Sequence, residues 1–276
     1  MRNSLNLFND SYRKIFSLIK YYWVNILLTP LAFVPRYLSF PFLFLGKKIT
    51  IIDGPSYAYL YRELFLKEIY KFSSSKRNPY IVDCGAYIGL SVIYFKILFP
   101  QSKIIAFEPD PIIFHALSSN LQKFNFKNIQ IYNAAVWNKD GEALFFHEEA
   151  DAGRIINQSI PNKTVSVSTL RLRRFINKHV DLLKIDIEGS EYEVLNDCKE
   201  YLHNVDKLFI EYHSNNSTQQ QLGDIFQILR SAGFRYYIDR VGIMSPHPFI
   251  HISSYNGFDN QLNIFAYRNK TSVHDK

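Results

Sequence analysis

The chain carries only two cysteines, Cys84 and Cys198, in 276 residues. With so few thiols neither a disulfide framework nor a cysteine metal site is indicated, and a reducing cytoplasm is the expected compartment. Cys84 has no histidine close by in sequence to activate it, so it reads as a small packed side chain rather than a nucleophile. A G-x-G-x-x-G run is also missing, which removes the close contact that a dinucleotide pyrophosphate needs at a helix N-terminus. Zinc-ligand spacings, RNA-binding aromatic signatures and long basic blocks are lacking as well, so no nucleic-acid partner is expected. The uncharged runs over 21–35 and 37–46 fall short of the roughly 18 to 20 residues that span a bilayer. Pro30, Pro35 and Pro41 interrupt them further, and no small-x-small cleavage site follows, so neither a spanning helix nor a signal peptide is expected.

Apolar residues make up 47% of the chain and aromatics 16%, enough for a folded domain of roughly 200 to 230 residues with an appendage. The organisation expected is an apolar, basic extension over 1–54, a covering helix and linker over 55–79, one domain over 80–270 and a tail over 271–276. In the extension, Arg13, Lys14, Lys20 and Arg36 interleave with Trp23, Tyr, Phe and Leu. That composition suits peripheral contact with an anionic membrane at its inner face, and equally suits packing on the domain or on a second subunit. The net charge of +7 is compatible with anionic lipid, acidic glycans or a plainly basic surface.

Apolar residues at helical spacing predict a helix over 56–72, capped by Ser56 after Pro55, and the Ser and Pro content of 73–79 predicts a linker. From Tyr80 onward strands and helices alternate. Strands are expected over 80–83, 103–108, 128–135, 182–187, 206–212, 234–240 and 261–267, and helices over 89–99, 111–125, 190–202 and 218–232. This is the α/β pattern of a parallel, doubly wound sheet with an antiparallel edge hairpin and a ligand crevice at the strands' carboxyl ends. Residues 138–180 break the alternation and predict a small β insertion followed by a basic helix over 172–179.

The run Ile81-Val82-Asp83-Cys84-Gly85-Ala86-Tyr87-Ile88-Gly89 joins a buried strand to a glycine turn. Twenty-five residues after Asp83, a second strand ends in Phe107-Glu108-Pro109-Asp110, placing Glu108 to accept hydrogen bonds from both hydroxyls of a ribose. A phosphate-free nucleoside with a charged amino-acid tail fits this pair of features, and S-adenosylmethionine is such a molecule. A third strand ends in Lys184-Ile185-Asp186-Ile187-Glu188-Gly189-Ser190-Glu191. Strand alternation puts Lys184, Asp186 and Glu188 on one face, with Asp186 and Glu188 as a possible divalent-cation pair. Glu191 is expected either to complement the next helix start or to meet substrate. A fourth strand delivers Glu211 and His213 to one face, where His213 could act as a general base near neutral pH.

Taken in order, Asp83-x-Gly85-x-x-x-Gly89, Ala106-Phe107-Glu108-Pro109, Asn133-Ala134-Ala135-Val136, the 183–191 run and Ile210-Glu211-x-His213 resemble FkbM-family methyltransferases over residues 55–240. The resemblance implies a class I S-adenosylmethionine-dependent fold with strand order 3-2-1-4-5-7-6. It also implies O-methylation of a hydroxyl on a sugar, glycan or polyketide-like acceptor. By position, residues 83–89, including Asp83, Gly85, Ala86, Tyr87 and Gly89, would hold the methionine and ribose portions. Glu108, with Pro109, would take the ribose, and Asn133 and Ala134 would border adenine. Lys184, Asp186 and His213 are the candidate catalytic groups, and Glu188, Glu191 and Glu211 the candidate substrate contacts. Two positions depart from the family pattern: Tyr87 stands where Asn is frequent, and Arg171 follows Thr169 and Leu170 where a Leu-Asp pair is common. The competing readings are a nucleotide-sugar glycosyltransferase, with Asp186-Ile187-Glu188 as a D-x-D-like metal site, and a non-catalytic membrane-associated scaffold.

Overall fold

The computed structural model describes residues 22–147, 153–156, 158–242 and 244–268. Arg13, Lys14, Lys20 and the tail over 271–276 therefore lie outside the described residues. A helix over 22–28 runs into a 3-10 turn, Thr29–Phe33. Strands β1 (Phe40–Phe44) and β2 (Lys47–Ile51) then form an antiparallel hairpin across Leu45 and Gly46, both at positive φ, as a two-residue turn with matched twist requires. Phe44, Ile49 and Ile51 are buried, so this part of the extension packs on the domain. Among the described residues no helix is long and apolar enough to cross a membrane.

Helix α1 spans Gly54–Tyr61 and continues as a π-helical stretch, Arg62–Leu66. It is shorter than the expected 56–72, and its N-cap is Asp53 rather than Ser56. The Asp53 carboxylate accepts from Ser56 N at 3.0 Å and Ser56 Oγ at 2.6 Å. The same carboxylate takes Arg36 Nε at 2.8 Å and Tyr37 N at 3.0 Å, which fastens the extension to the helix start. The chain continues through β3 (Tyr80–Cys84), α2 (Leu90–Leu98), β4 (Lys103–Phe107), α3 (Pro111–Gln122) and β5 (Ile129–Tyr132). Strands β6 (Ala135–Trp137), β7 (Gly141–Phe146), β8 (Arg154–Ile155) and β9 (Thr164–Arg171) follow. Next come β10 (Leu182–Ile185), α4 (Glu191–Cys198), β11 (Lys207–Asn215), α5 (Leu222–Ser231), β12 (Arg235–Val241) and β13 (Phe258–Tyr267).

The large sheet has the order β12-β13-β11-β10-β3-β4-β5. Counting its own strands along the chain, this is 3-2-1-4-5-7-6 read from the β5 edge, the class I methyltransferase arrangement. The five central and left-hand strands are parallel, and β13 runs antiparallel between β11 and β12. Alternate residues feed two cores. Ile81, Ile104, Leu182 and Phe209 join the first, under the N-terminal hairpin and helices α2 and α3. Val82, Leu183, Ile185 and Ile210 join the second, against α4 and α5. Burial on both faces is why these strands read as continuous apolar runs.

Three expectations need correction. The run 128–135 is two strands: β5 stays in the large sheet, while β6 leaves it to pair with β9 in a four-stranded sheet ordered β6-β9-β7-β8. The basic helix over 172–179 is only a 3-10 turn, Leu172–Arg174, although Leu172 and Ile176 are both buried. Strand β10 ends at Ile185, so Asp186, Ile187 and Glu188 belong to the loop beyond it.

Candidate active site

The sheet alternation that buries Ile81, Leu182 and Phe209 carries one face into polar residues at the carboxyl edge. Two positions on from Ile81 and Leu182 stand Asp83 and Lys184, paired in register across β3 and β10. Along β11 the same face runs Phe209, Glu211, His213, and β13 sets Asn263 opposite Glu211 and Gln261 opposite His213. An apolar face thus becomes a charged row over a single turn of the pleat.

Lys184 sits at the centre of this row, 2% exposed. Its Nζ donates to Gly85 O at 2.7 Å and lies 3.3 Å from Asp83 Oδ1 and 3.2 Å from Asp186 Oδ2. Burial works against its charge, but Asp186 and Asp83 outweigh it and hold the ammonium well above the usual lysine range. Lys184 is therefore a fixed cation that ties the 85–87 turn to the loop after β10, not a proton carrier. Asp83, fully buried, is spent on Lys184 and on Ser91 Oγ at 2.5 Å, so it supports the cofactor loop from behind instead of facing a ligand. Burial pushes its carboxyl above the usual range, with Lys184 and Ser91 pulling it back.

At position 85 the turn admits no side chain. Gly85 has φ 91°, and a Cβ there would lie 1.9 Å from the Asp186 carbonyl oxygen. Gly89, at φ 94°, starts α2 and packs on Leu117, where a Cβ would come within 2.8 Å of Cδ1. Its role is helix packing, away from the cleft. Tyr87 has φ 48°, in the left-handed region where Asn is favoured among non-glycine residues, which gives a physical reason for the Asn frequent at this place in the family. Its backbone N–H donates to Glu108 Oε2 at 2.9 Å, while Asp110 N donates to Oε1 at 3.0 Å. Burial pushes the Glu108 carboxyl up to about 8 against those two donors. Asn133 does not line the cleft; its amide donates to Glu108 O and Pro109 O, each at 2.9 Å, and fixes the acid's backbone.

One cleft gathers these parts. Its floor is Gly85, Ala86 and Tyr87, one end is Glu108, Pro109 and Asp110, and its apolar wall includes Ile113, Ala134 and Val136. The opposite end carries Lys184, Asp186, Glu188, Glu211 and Gln261. Tyr59 and Leu60 of α1, Phe145 of β7 and Ile155 of β8 cover it. Asp110 caps α3 through Ile112 N and Ile113 N and also bonds His147, which pins the insertion over the cleft. The Arg171 departure has a structural use in the same insertion: its guanidinium pairs with Asp197 on α4, and its N–H donates to Asp140 at 2.9 Å.

His213 does not line this cleft. It faces an adjoining hollow with Tyr255 and Phe258, and the two spaces share Tyr59, Glu188 and Gln261. Its Nδ1 lies 3.3 Å from Glu191 Oε1, and its Nε2 lies 3.5 Å from Glu188 Oε2 and 3.8 Å from Glu211 Oε1. Burial disfavours the charged ring, but these three carboxylates outweigh it and hold the imidazole well above its usual range. The three carboxylates favour the charged ring, which works against the expected role of His213 as the base, and Gln261 Nε2 stands 3.0 Å from its Nε2. Glu211 is the second titratable group at this place. Burial and Asp186 push its carboxyl up to about 7, with His213 and Lys184 opposing, and Gln261 Nε2 donates to its Oε1 at 2.5 Å. Glu191 is 1% exposed, its Oε1 accepting from Ile187 N at 3.3 Å and Gly189 N at 3.0 Å, so it shapes the loop and holds His213 without reaching a substrate. The ligand atoms that converge are those of Asp186, Glu211 and His213, within 4.8 Å of one another, rather than the Asp186 and Glu188 pair. Lys184 Nζ stands 3.2 Å from Asp186 Oδ2 in this set and supplies a cation of the protein's own there.

A family model, the methyltransferase FkbM domain, matches residues 83–236. The chain belongs to the FkbM methyltransferase family. Methyltransferase 1 of Beauveria bassiana is 25% identical over 208 residues, covering 66% of this chain and 82% of that protein. The 31-O-demethyl-FK506 methyltransferase FkbM of Streptomyces tacrolimicus is 23% identical over 227 residues, covering 68% and 86%. A solved structure, methyltransferase FkbM from Methylobacillus flagellatus KT, aligns with TM-score 0.48 and 19% identity over 72% of this chain. This FkbM-family chain spans 46% of that protein's length. The site residues least visible beforehand were Tyr59, Leu60 and Gln261: the first two lay in a helix whose pattern marks only packing, and Gln261 depends on an antiparallel register that no local motif records.

Proposed function

We propose that this chain is an S-adenosylmethionine-dependent O-methyltransferase whose acceptor is a hydroxyl of a sugar, glycan or related polyol. The observation that carries the reading is a single cleft with a turn held open at Gly85 and a buried Glu108 at one end, and Asp186 and Glu211 at the other. The residues present fit the cofactor: Gly85 leaves a cradle that a Cβ would fill, Glu108 keeps lone pairs for ribose hydroxyls, and Ala134, Val136 and Ile113 offer an apolar wall for adenine. When bound, S-adenosylmethionine supplies an electrophilic methyl group on a sulfonium. The acceptor hydroxyl enters through the hollow beside His213, bounded by Glu188, Gln261 and Tyr255. Glu211 takes its proton, and the carboxylate is favoured by the neighbouring imidazolium. Asp186 and Lys184 hold the two loops at fixed spacing, so alignment costs little at the moment of transfer. The relative named for a 31-O position supports oxygen as the methylated atom.

Calorimetric titration with S-adenosylhomocysteine, paired with transfer of labelled methyl to a panel of sugars and polyols, tests the reading. Binding and base-stable ether products are expected, and transfer should survive EDTA because Lys184 supplies the cation beside Asp186. Binding of UDP-sugars in place of S-adenosylhomocysteine by folded protein would favour the glycosyltransferase instead.

Glu108 adds a pH signature. Its folded carboxyl titrates near 8, so it is largely protonated below that and ionised above it. The ionised form accepts from both ribose hydroxyls, and charge-assisted bonds exceed neutral ones by about 1 kcal/mol. Affinity for S-adenosylhomocysteine should therefore rise roughly 5-fold from pH 6.5 to 9. Glu108→Gln should flatten that rise, and an unchanged slope in the variant would remove Glu108 from the ribose.

A further inference from the structure

Two chain segments near the mouth of the cleft expose large apolar side chains that the interior does not use. The first is residues 22–45, where Trp23, Ile26, Leu27, Phe33, Leu43 and Leu45 are all more than half exposed, Phe33 at 81% and Leu43 at 71%. The second is the stretch before β13, where Met244, Phe249 and Ile250 project, Phe249 completely. They meet at the site. Arg36 Nη1 donates to Tyr255 OH at 3.1 Å, Tyr37 shares a hollow with Asn256 and Gly257, and Tyr255 and Phe258 line the hollow beside His213. Single exposed apolar residues need no explanation, but a concentration of this kind marks a contact surface.

The charge pattern selects the occupant. Residues 11–52 contain no Asp or Glu and six basic residues, Arg13, Lys14, Lys20, Arg36, Lys47 and Lys48. Residues 242–258 likewise contain no carboxylate, with His247 and His251 among them. Aromatic and aliphatic side chains flanked in sequence by Lys20, Lys47 and Lys48, with no acid within these segments, complement an anionic lipid surface. A second copy of the chain would bring Lys47 and Lys48 face to face with their own copies across a two-fold axis, and among the described residues of these segments only Arg36 has an acid, Asp53, to pair it.

We propose that residues 22–45 and 244–252 form one lipid-facing rim that seats the protein on an anionic bilayer with the acceptor hollow turned toward it. The acceptor is then a hydroxyl compound carried on a lipid anchor, a conclusion that rests on the methyltransferase reading, whereas the lipid contact does not.

The test is cosedimentation of the full chain with phosphatidylcholine vesicles, with and without phosphatidylglycerol. The probe variants are Leu43→Glu with Leu45→Glu, and Phe249→Glu with Ile250→Glu, all at exposed positions remote from the core. Binding to the anionic vesicles should exceed that to neutral ones at least ten-fold, weaken with salt, and fall at least ten-fold in either double variant. S-adenosylhomocysteine binding, measured on the same samples, should be unchanged and reports folding. Equal pelleting with both vesicle types, or by both double variants, overturns the proposal. So does a concentration-dependent dimer that these substitutions dissociate, without vesicle binding. Vesicle binding by a protein that fails to bind S-adenosylhomocysteine would instead sink the methyltransferase reading and leave the lipid rim standing.

Discussion

Glu211→Gln should lower the methyl-transfer rate by roughly 10² to 10³, the range for losing a positioned general base, while leaving S-adenosylhomocysteine affinity nearly intact. Glutamine keeps the volume and one oxygen, so the loss reports the proton acceptor and not the wall. The pH profile gives the sign. A base with a carboxyl near 7 is protonated and idle below that value and competent above it, so the wild-type rate should climb through about pH 7 and the variant should lose the climb. His213→Asn separates the two neighbouring groups. Removing the imidazolium takes away a charge that holds the Glu211 carboxyl down, so the rising limb should move to higher pH without disappearing. Disappearance of the limb in His213→Asn, with Glu211→Gln near wild type, would return the base to His213.

Gly85→Ala should remove cofactor binding altogether. The added methyl would stand 1.9 Å from the Asp186 carbonyl oxygen, so backbone on one side must move. The residue also sits at φ 91°, where an L side chain is strained by about 1 to 3 kcal/mol before any clash is counted. Moving the turn displaces the Gly85 carbonyl from Lys184 and the Tyr87 N–H from Glu108 together, so the damage reaches both ends of the cleft. A fall in Tm of roughly 5 to 10 °C is expected alongside the lost binding, from the scaling for a domain of this size. Gly223→Ala, with open space at the Cβ and no positive φ, is the control and should change neither. Near-normal affinity in Gly85→Ala would mean that the turn yields easily and that its closeness to Asp186 has no part in binding.

The sheet was legible because parallel strands buried on both faces announce themselves as apolar runs, and their acid-tipped ends identify the crevice edge. What the strand pattern could not carry was the fate of each charge once packed. Lys184, Asp186 and Glu188 do alternate as in an extended strand, but the strand stops at Ile185 and Glu188 turns into the left-handed region at φ 58°. Asp83 and Glu191 look like ligand groups in one dimension and are consumed by internal partners in three. What disfavours His213 as base is something no spacing reveals: three carboxylates reach it, Glu188 from the loop after β10, Glu191 from the start of α4 and Glu211 from its own strand. The break at 132–135 was hidden because a strand leaving one sheet for another stays apolar throughout.

The floor of the cleft and part of its cover come from different stretches of chain. Gly85, Tyr87, Glu108 and Ala134, as well as Asp186 and Glu211, fall inside the 83–236 span that defines family membership. Tyr59 and Leu60 precede that span, and Tyr255, Phe258 and Gln261 follow it. The two sets meet where β13 pairs with β11, Gln261 reaching Glu211 and standing opposite His213, while Arg36 on Tyr255 joins the two flanking segments to each other. A division of this kind lets a lineage change what it modifies without relearning how to hold the donor. Substitutions in the cover can drift toward new acceptors at little risk to the chemistry beneath, so kinship predicts the reaction of such proteins better than it predicts their products.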